Sequence, residues 1–163
     1  MLFRSRYASD RAALVEGLAR GVIKVVATDH APHTDEEKSN TFEDALPGSP
    51  GVQTLYLSCL DLAKKLGDVW LAPRWVSEGP ADAVGLQASK GAIAPGFDAD
   101  LVIVDPNRKT QARSDHMRSR QRHAALEGME FGFAVIDVYL RGESVLSNGR
   151  VRGRMVRPAL VAG

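Results

Sequence analysis

The sequence predicts an α/β chain whose last third is rich in β-structure, and three observations carry that expectation. A short β-branched run, "VIKVVA" (residues 22–27), follows directly on a segment with helical apolar spacing. Near-continuous apolarity of that kind suits a strand buried on both faces, as in a parallel sheet covered by helices. From about Lys90 the pattern turns into short β-branched runs separated by Pro-Gly, Arg-Gly and Asn-Gly pairs, which are turn and hairpin signals.

The elements follow in order. Ser9 or Asp10 can cap a helix running to about Arg20, with Leu14, Val15 and Leu18 as its apolar stripe and Gly21 as its stop. Helix, tight turn and strand make the back half of an α/β unit. The loop "DEEKSNTFEDALPGSPG" comes next, too long for a plain connector, and loops of that length are often functional. A helix is expected from Val52 to Leu66, with Val52, Leu55, Tyr56, Cys59, Leu62, Ala63 and Leu66 as its core stripe and Gly67 as its stop. Shorter helical pieces begin at Pro73 and Pro80. Trp70 and Trp75 could line a pocket, but helix packing is the expected use.

A boundary is placed near residues 86–91, dividing the chain into 1–88 and 89–163. Beyond it, a strand is expected from Leu101 to Val104, and "FAVIDVYLRGESVLSNGRV" reads as strand, turn, strand, turn. Between these lies a run with six Lys or Arg from Arg108 to Arg122. A basic run could contact phosphates. Without interleaved aromatics or a recognisable binding fold, a solvated loop is the favoured reading, and nucleic acid is not expected as a partner.

Composition sets the outer bounds. The chain has 163 residues, 44% hydrophobic and 25% charged, with a formal net charge of +1. These values describe a soluble globular protein, one domain or one plus a fragment of another. Near-neutral charge gives no pull toward nucleic acid or an anionic membrane. The single Cys59 cannot form an internal disulfide, so a cytoplasmic location is the expectation. No apolar run reaches the roughly 18 residues of a membrane span, and no signal-peptide core lies near Met1.

The chemistry concentrates in "VVATDHAPHT", residues 25–34. Asp29 falls at the carboxyl end of the expected strand, the end that faces the ligand crevice in open parallel sheets and (β/α)₈ barrels. It is a candidate for metal ligation or general-base work. It could equally cap the following turn, and position alone leaves both roles open. His30 and His33 sit three apart with Pro32 between them. That spacing fits neither a strand pair nor a regular helical pair, and it speaks against a two-histidine metal site built on this stretch alone. His33, further into the loop, is better placed than His30 to meet a substrate anion.

The residues "ATDHAPHT..EK", with "FEDALPG" and "GVQT" behind them, resemble the eighth barrel strand and following loop of dihydroorotases, in the cyclic amidohydrolase branch of the amidohydrolase superfamily. "SDRAALVEGLARGVIKVVATDHAPH" is similar to the preceding helix and strand. "GLQASKGAIAPGFDADLVIVD" is similar to the segment that leaves the barrel for a small β-sandwich. The resemblance covers most of residues 5–105 and, more loosely, the hairpins to Arg150. It implies the C-terminal part of a (β/α)₈ TIM-barrel hydrolase, its last strand and helices, followed by part of the sandwich.

Residue by residue, the resemblance makes Asp29 a zinc ligand that shuttles a proton between metal-bound hydroxide and the leaving amide nitrogen. Zinc brings bound water near neutral pKa, and a neighbouring carboxylate can take its proton and return it to nitrogen. His33 resembles the histidine that holds the substrate carboxylate, and Pro47 and Gly48 the loop pair that contacts substrate through backbone groups. Lys38 belongs to the family pattern, although "DEEK" on its own reads as a solvated charge cluster. His30 is expected in a supporting place rather than as a ligand.

Much of the family's machinery is absent. A barrel needs roughly 250 residues, no His-x-His precedes Asp29, and one aspartate cannot make a zinc site, which takes three or four protein ligands. The family's Asn-Pro-Pro-Leu-Arg segment would fall on residues 2–6, where only Arg6 survives and Leu2 stands in place of Asn. The expectation is a fragment of a dihydroorotase-like, binuclear-zinc hydrolase of pyrimidine biosynthesis, interconverting dihydroorotate and N-carbamoyl-aspartate. Alone it is expected to be inactive and poorly soluble, with exposed strand edges and apolar faces. An allantoinase- or hydantoinase-type amidase is the same-class alternative, against which His33 argues. A non-catalytic scaffold subunit is the other. The expected partner is a small-molecule substrate, with a second copy or a carbamoyltransferase as protein partners and no membrane.

Overall fold

The computed structural model describes residues 7–41, 43–122, 126–146 and 156. The first element is α1 (Ala8–Ala19). Its N-cap is Tyr7 rather than Ser9 or Asp10, and Asp10 instead takes the Tyr7 amide on its carboxylate at 3.3 Å. Gly21, at φ +71, takes the left-handed turn that ends the helix. None of α1 is buried; of its expected stripe, Leu14 is exposed and Leu18 packs against the core.

Residues 22–27 do not form the expected strand. The segment leaves α1 through a bend at residues 22–23, no ladder pairs it among the described residues, and Val22 is 73% exposed. A strand exists only through a neighbour that takes its amides and carbonyls, and no strand of the described chain pairs with this segment. Its anchor is the Val26 amide, which donates to the Trp75 carbonyl at 3.0 Å.

Thr34 caps a single helical turn, α2 (Asp35–Lys38). α3 (Val52–Lys65) then forms as expected, with Gly67 beyond it at φ +88. Its buried face is broader than the expected stripe. Thr54, Leu57, Cys59, Leu60 and Ala63 are buried, whereas Val52 and Leu66 are exposed. The helix is covered from two sides, by the helices that follow it and by Ala112, Phe131 and Phe133 of the β-rich segment.

Pro73 closes the short α4 (Leu71–Pro73) instead of opening a helix. A π-helical turn follows at Arg74–Glu78, then α5 (Gly79–Ala83), with Pro80 in its first turn. Trp75 is buried in the core, and Trp70 is exposed.

β1 (Leu101–Asp105) pairs antiparallel with β4 (Ala134–Leu140), which turns through Arg141-Gly142 into β5 (Glu143–Ser144). Both turn residues have positive φ, +50 and +82, as the favoured two-residue hairpin turn requires. β2 (Thr110–Gln111) and β3 (Glu130–Phe131) form a separate ribbon. The second hairpin expected at Asn148-Gly149 lies outside the described residues, as do residues 2–6.

The basic stretch is more than a solvated loop. A 3₁₀ turn at Ser114–His116 leads to the buried Met117. The Gln53 side chain donates to the His116 carbonyl at 3.0 Å and accepts the Arg118 amide at 2.9 Å. Lys109 pairs with Glu130, and Arg113 with Asp115.

Candidate active site

The motif and the long loop behind it fold onto each other. Leaving the extended segment, the backbone passes through Asp29 at φ +48, a left-handed conformation that costs a non-glycine residue energy and concentrates at functional sites. Asp29 is exposed. His30 then runs parallel to Ser49 in a single bridge, and the Ala31 amide donates to the Ser49 carbonyl at 3.2 Å. Both ends of the loop thus lie side by side.

His30 faces the start of α3. Its Nδ1 accepts the amides of Gly51 at 3.1 Å and Val52 at 3.4 Å. Nδ1 therefore carries a lone pair and Nε2 the proton. Gly51 offers no side-chain cap to the helix, so the imidazole satisfies amides that a Ser or Asp would otherwise serve.

His33 lies on the other side of the loop. Its Nε2 is 3.0 Å from the Pro47 carbonyl, which can only accept, so Nε2–H donates. Its Nδ1 is 3.4 Å from Glu37 Oε2. Glu37 is fixed by the capping box, giving its carboxylate to the Thr34 amide at 2.8 Å while Thr34 Oγ1 accepts the Glu37 amide at 3.2 Å. That amide bond, followed by the His33 imidazole, outweighs partial desolvation and holds the Glu37 carboxyl below its ordinary value.

Gly48 makes the closure possible. It sits at φ +137, and a Cβ there would lie 2.6 Å from the Ala31 carbonyl oxygen and 3.0 Å from His33 Nε2. Only glycine fits. Lys38 adds a second tie, donating from Nζ to the carbonyls of Leu46 at 2.7 Å and Gly48 at 2.6 Å.

The structure thus brings His33, Pro47 and Gly48 together and leaves Asp29 open at the end of the extended segment. Sequence reading gave Glu37 and Gln53 no role of their own and took "DEEK" as a solvated charge cluster, although it placed Lys38 in the family pattern. The Thr34-x-x-Glu37 spacing of a capping box was the available signal for α2; nothing local signals the contacts of Lys38 or Gln53. Among the described residues no three His, Cys, Asp or Glu side chains lie close enough to hold a metal. Asp29 alone does not make a zinc site.

The amidohydrolase family model matches residues 4–145, and the chain belongs to that family. It is 41% identical over 151 residues to the dihydroorotase of Halobacterium salinarum, covering 90% of this chain and 35% of that protein. It is 37% identical over 158 residues to the dihydroorotase of Methanosarcina acetivorans, covering 93% of this chain and 32% of that one. The chain spans about a third of the length of these curated relatives.

Similar solved structures include the D-hydantoinase (dihydropyrimidinase) of a Thermus species, with TM-score 0.74 and 27% identity over 88% of this chain and 32% of that one. The L-hydantoinase (dihydropyrimidinase) of Arthrobacter aurescens has TM-score 0.76 and 28% identity, covering 85% of this chain and 32% of that one. Among the described residues no helix is long and apolar enough to cross a membrane.

Proposed function

We propose that this chain is the C-terminal portion of a dihydroorotase-type hydrolase of cyclic amides, comprising a last barrel segment and part of a β-sandwich. One observation carries the reading: His33 Nε2–H is held at the Pro47 carbonyl, against Gly48, where an arriving substrate carboxylate can take over the donor. In this proposal His33 orients the substrate by its carboxylate, and the Pro47 and Gly48 backbone contacts its ring. Asp29, open at the end of the extended segment, takes the proton of the attacking water and returns it to the leaving nitrogen. Asp29 would be one ligand of a zinc ion, which would supply a bound water of near-neutral pKa.

The experiment is a chimera in which this chain replaces the corresponding third of the Halobacterium salinarum dihydroorotase. Ring closure of N-carbamoyl-aspartate is expected, with loss of turnover in D29N, and the isolated chain is expected to show none. The structural likeness to hydantoinases favours a second reading, a hydantoinase-type amidase. A chimera that opens hydantoin and leaves dihydroorotate untouched would establish that reading instead.

A further inference from the structure

One ammonium ties α2 to the loop that closes the candidate site. The carbonyls that Lys38 Nζ takes, those of Leu46 and Gly48, flank Pro47 on either side. The carbonyl between them, that of Pro47, is left to the His33 imidazole. Lys38 is in turn placed by the Thr34–Glu37 capping box, since it is the last residue of the single turn that the box initiates. An ordered lysine gives up considerable rotamer freedom. Here that cost is offset by two charge-assisted bonds to carbonyls that would otherwise have only water.

We propose that Lys38 is a positioning residue of the candidate site, holding the Pro47–Gly48 loop against His33 so that the imidazole presents Nε2–H to a substrate carboxylate. The inference rests on the reading of His33, Pro47 and Gly48 as the substrate-contacting set. A carboxylate reaching His33 exchanges places with the Pro47 carbonyl and is the stronger acceptor for the same N–H. Lys38 keeps the displaced loop in register through the carbonyls on either side of it. A lysine serving only as a solvated charge would have no influence on His33.

The test is long-range ¹H–¹⁵N correlation of the histidine rings in the full 163-residue chain, with H33Q identifying the His33 signals. In wild type and K38R, His33 should show a protonated Nε2 whose N–H is shielded from exchange with water, because a guanidinium can also serve two carbonyls. In K38M that N–H should exchange faster and its signal broaden, while His30, held separately by the Gly51 and Val52 amides, stays unchanged. If K38M unfolds the chain, the His30 signals collapse as well, and K38Q, which keeps a neutral donor, decides the matter in the same way. N-carbamoyl-aspartate is then titrated, and half-saturation of the His33 shift is expected at least about fivefold higher in K38M than in wild type.

A His33 spectrum in K38M identical to wild type overturns the proposal, as does equal half-saturation in the two. If Lys38 governs the His33 Nε2–H signal but N-carbamoyl-aspartate moves His33 in no variant, the positioning role stands and the substrate reading falls.

Discussion

The Val26 amide donates to the Trp75 carbonyl at 3.0 Å, across a helix whose π turn has freed that carbonyl. In an α-helix Trp75 would be served by the Gly79 amide, but that amide reaches back to Arg74. One residue further on stands Pro80, which has no amide to offer. The carbonyl so released receives the extended segment that leads to Asp29. The proline therefore bears on the site from a distance, through a helical irregularity of the kind often found near functional positions.

Gly79→Ala tests this packing. A Cβ at position 79 would lie 2.1 Å from the Lys24 carbonyl oxygen, a backbone atom that cannot yield cheaply. The expected cost is about 1–3 kcal/mol, the range for overpacking a close contact. It should appear as a lowered melting temperature and faster hydrogen exchange at Val26. The exposed Ser77→Ala, in the neighbouring π turn, should change neither.

His30→Ala should loosen the start of α3. It removes the acceptor of the Gly51 and Val52 amides, and loss of a helix cap costs about 0.5–2 kcal/mol. Denaturant unfolding gives the magnitude, and amide exchange locates it at residues 51 and 52. His30→Asn, which keeps a short acceptor, should recover part of it.

The Lys90 cluster predicts a pH window. Its ammonium donates to Asp98 at 2.7 Å and also to Asp100, at the junction between the helices and β1. Its hydrogen bonds to Asp100 and then to Asp98 raise Lys90 above 10.5. Partial burial pushes Asp100 up, but Lys90 and the Arg141 amide together bring it below 3.8. The Lys90 contribution is complete below its unfolded value and fades as pH rises through the higher folded one. That of Asp100 is complete above its unfolded value and fades as pH falls through the lower folded one. Lys90→Met should therefore cost about 1 kcal/mol across neutral pH, and the difference from wild type should shrink at both extremes of a pH-dependent urea series.

Cys59 should be nearly inert in the folded chain. Burial on the core-facing side of α3 raises its thiol to about 11, and the thiolate is the reactive form. Alkylation at pH 8 should be slow and should accelerate with unfolding in urea. The folded state holds this proton more tightly than the unfolded one, so stability should fall as pH rises from the unfolded thiol's range toward 11. Cys59→Ala should remove that slope.

Periodicity made α3, β1 and the β4–β5 hairpin legible, because each depends on apolar spacing or on turn residues within a few positions. Gly21, Gly67 and Gly142 marked their turns for the same local reason, the freedom of glycine at positive φ. The motif around Asp29 and His33 was legible as a pattern, and the amidohydrolase family match covers it. Residues 22–27 had every local feature of a buried strand, yet a strand is a relation between two segments, and the described chain offers this one no partner strand. The buried face of α3 was set by what covers it on two sides, beyond the reach of its own spacing. Closure of Pro47 and Gly48 onto His33, the tie of Lys38 and the docking of Gln53 join residues up to 65 positions apart. Such contacts form only after the chain has folded back on itself, so local chemistry made them possible and tertiary geometry selected them.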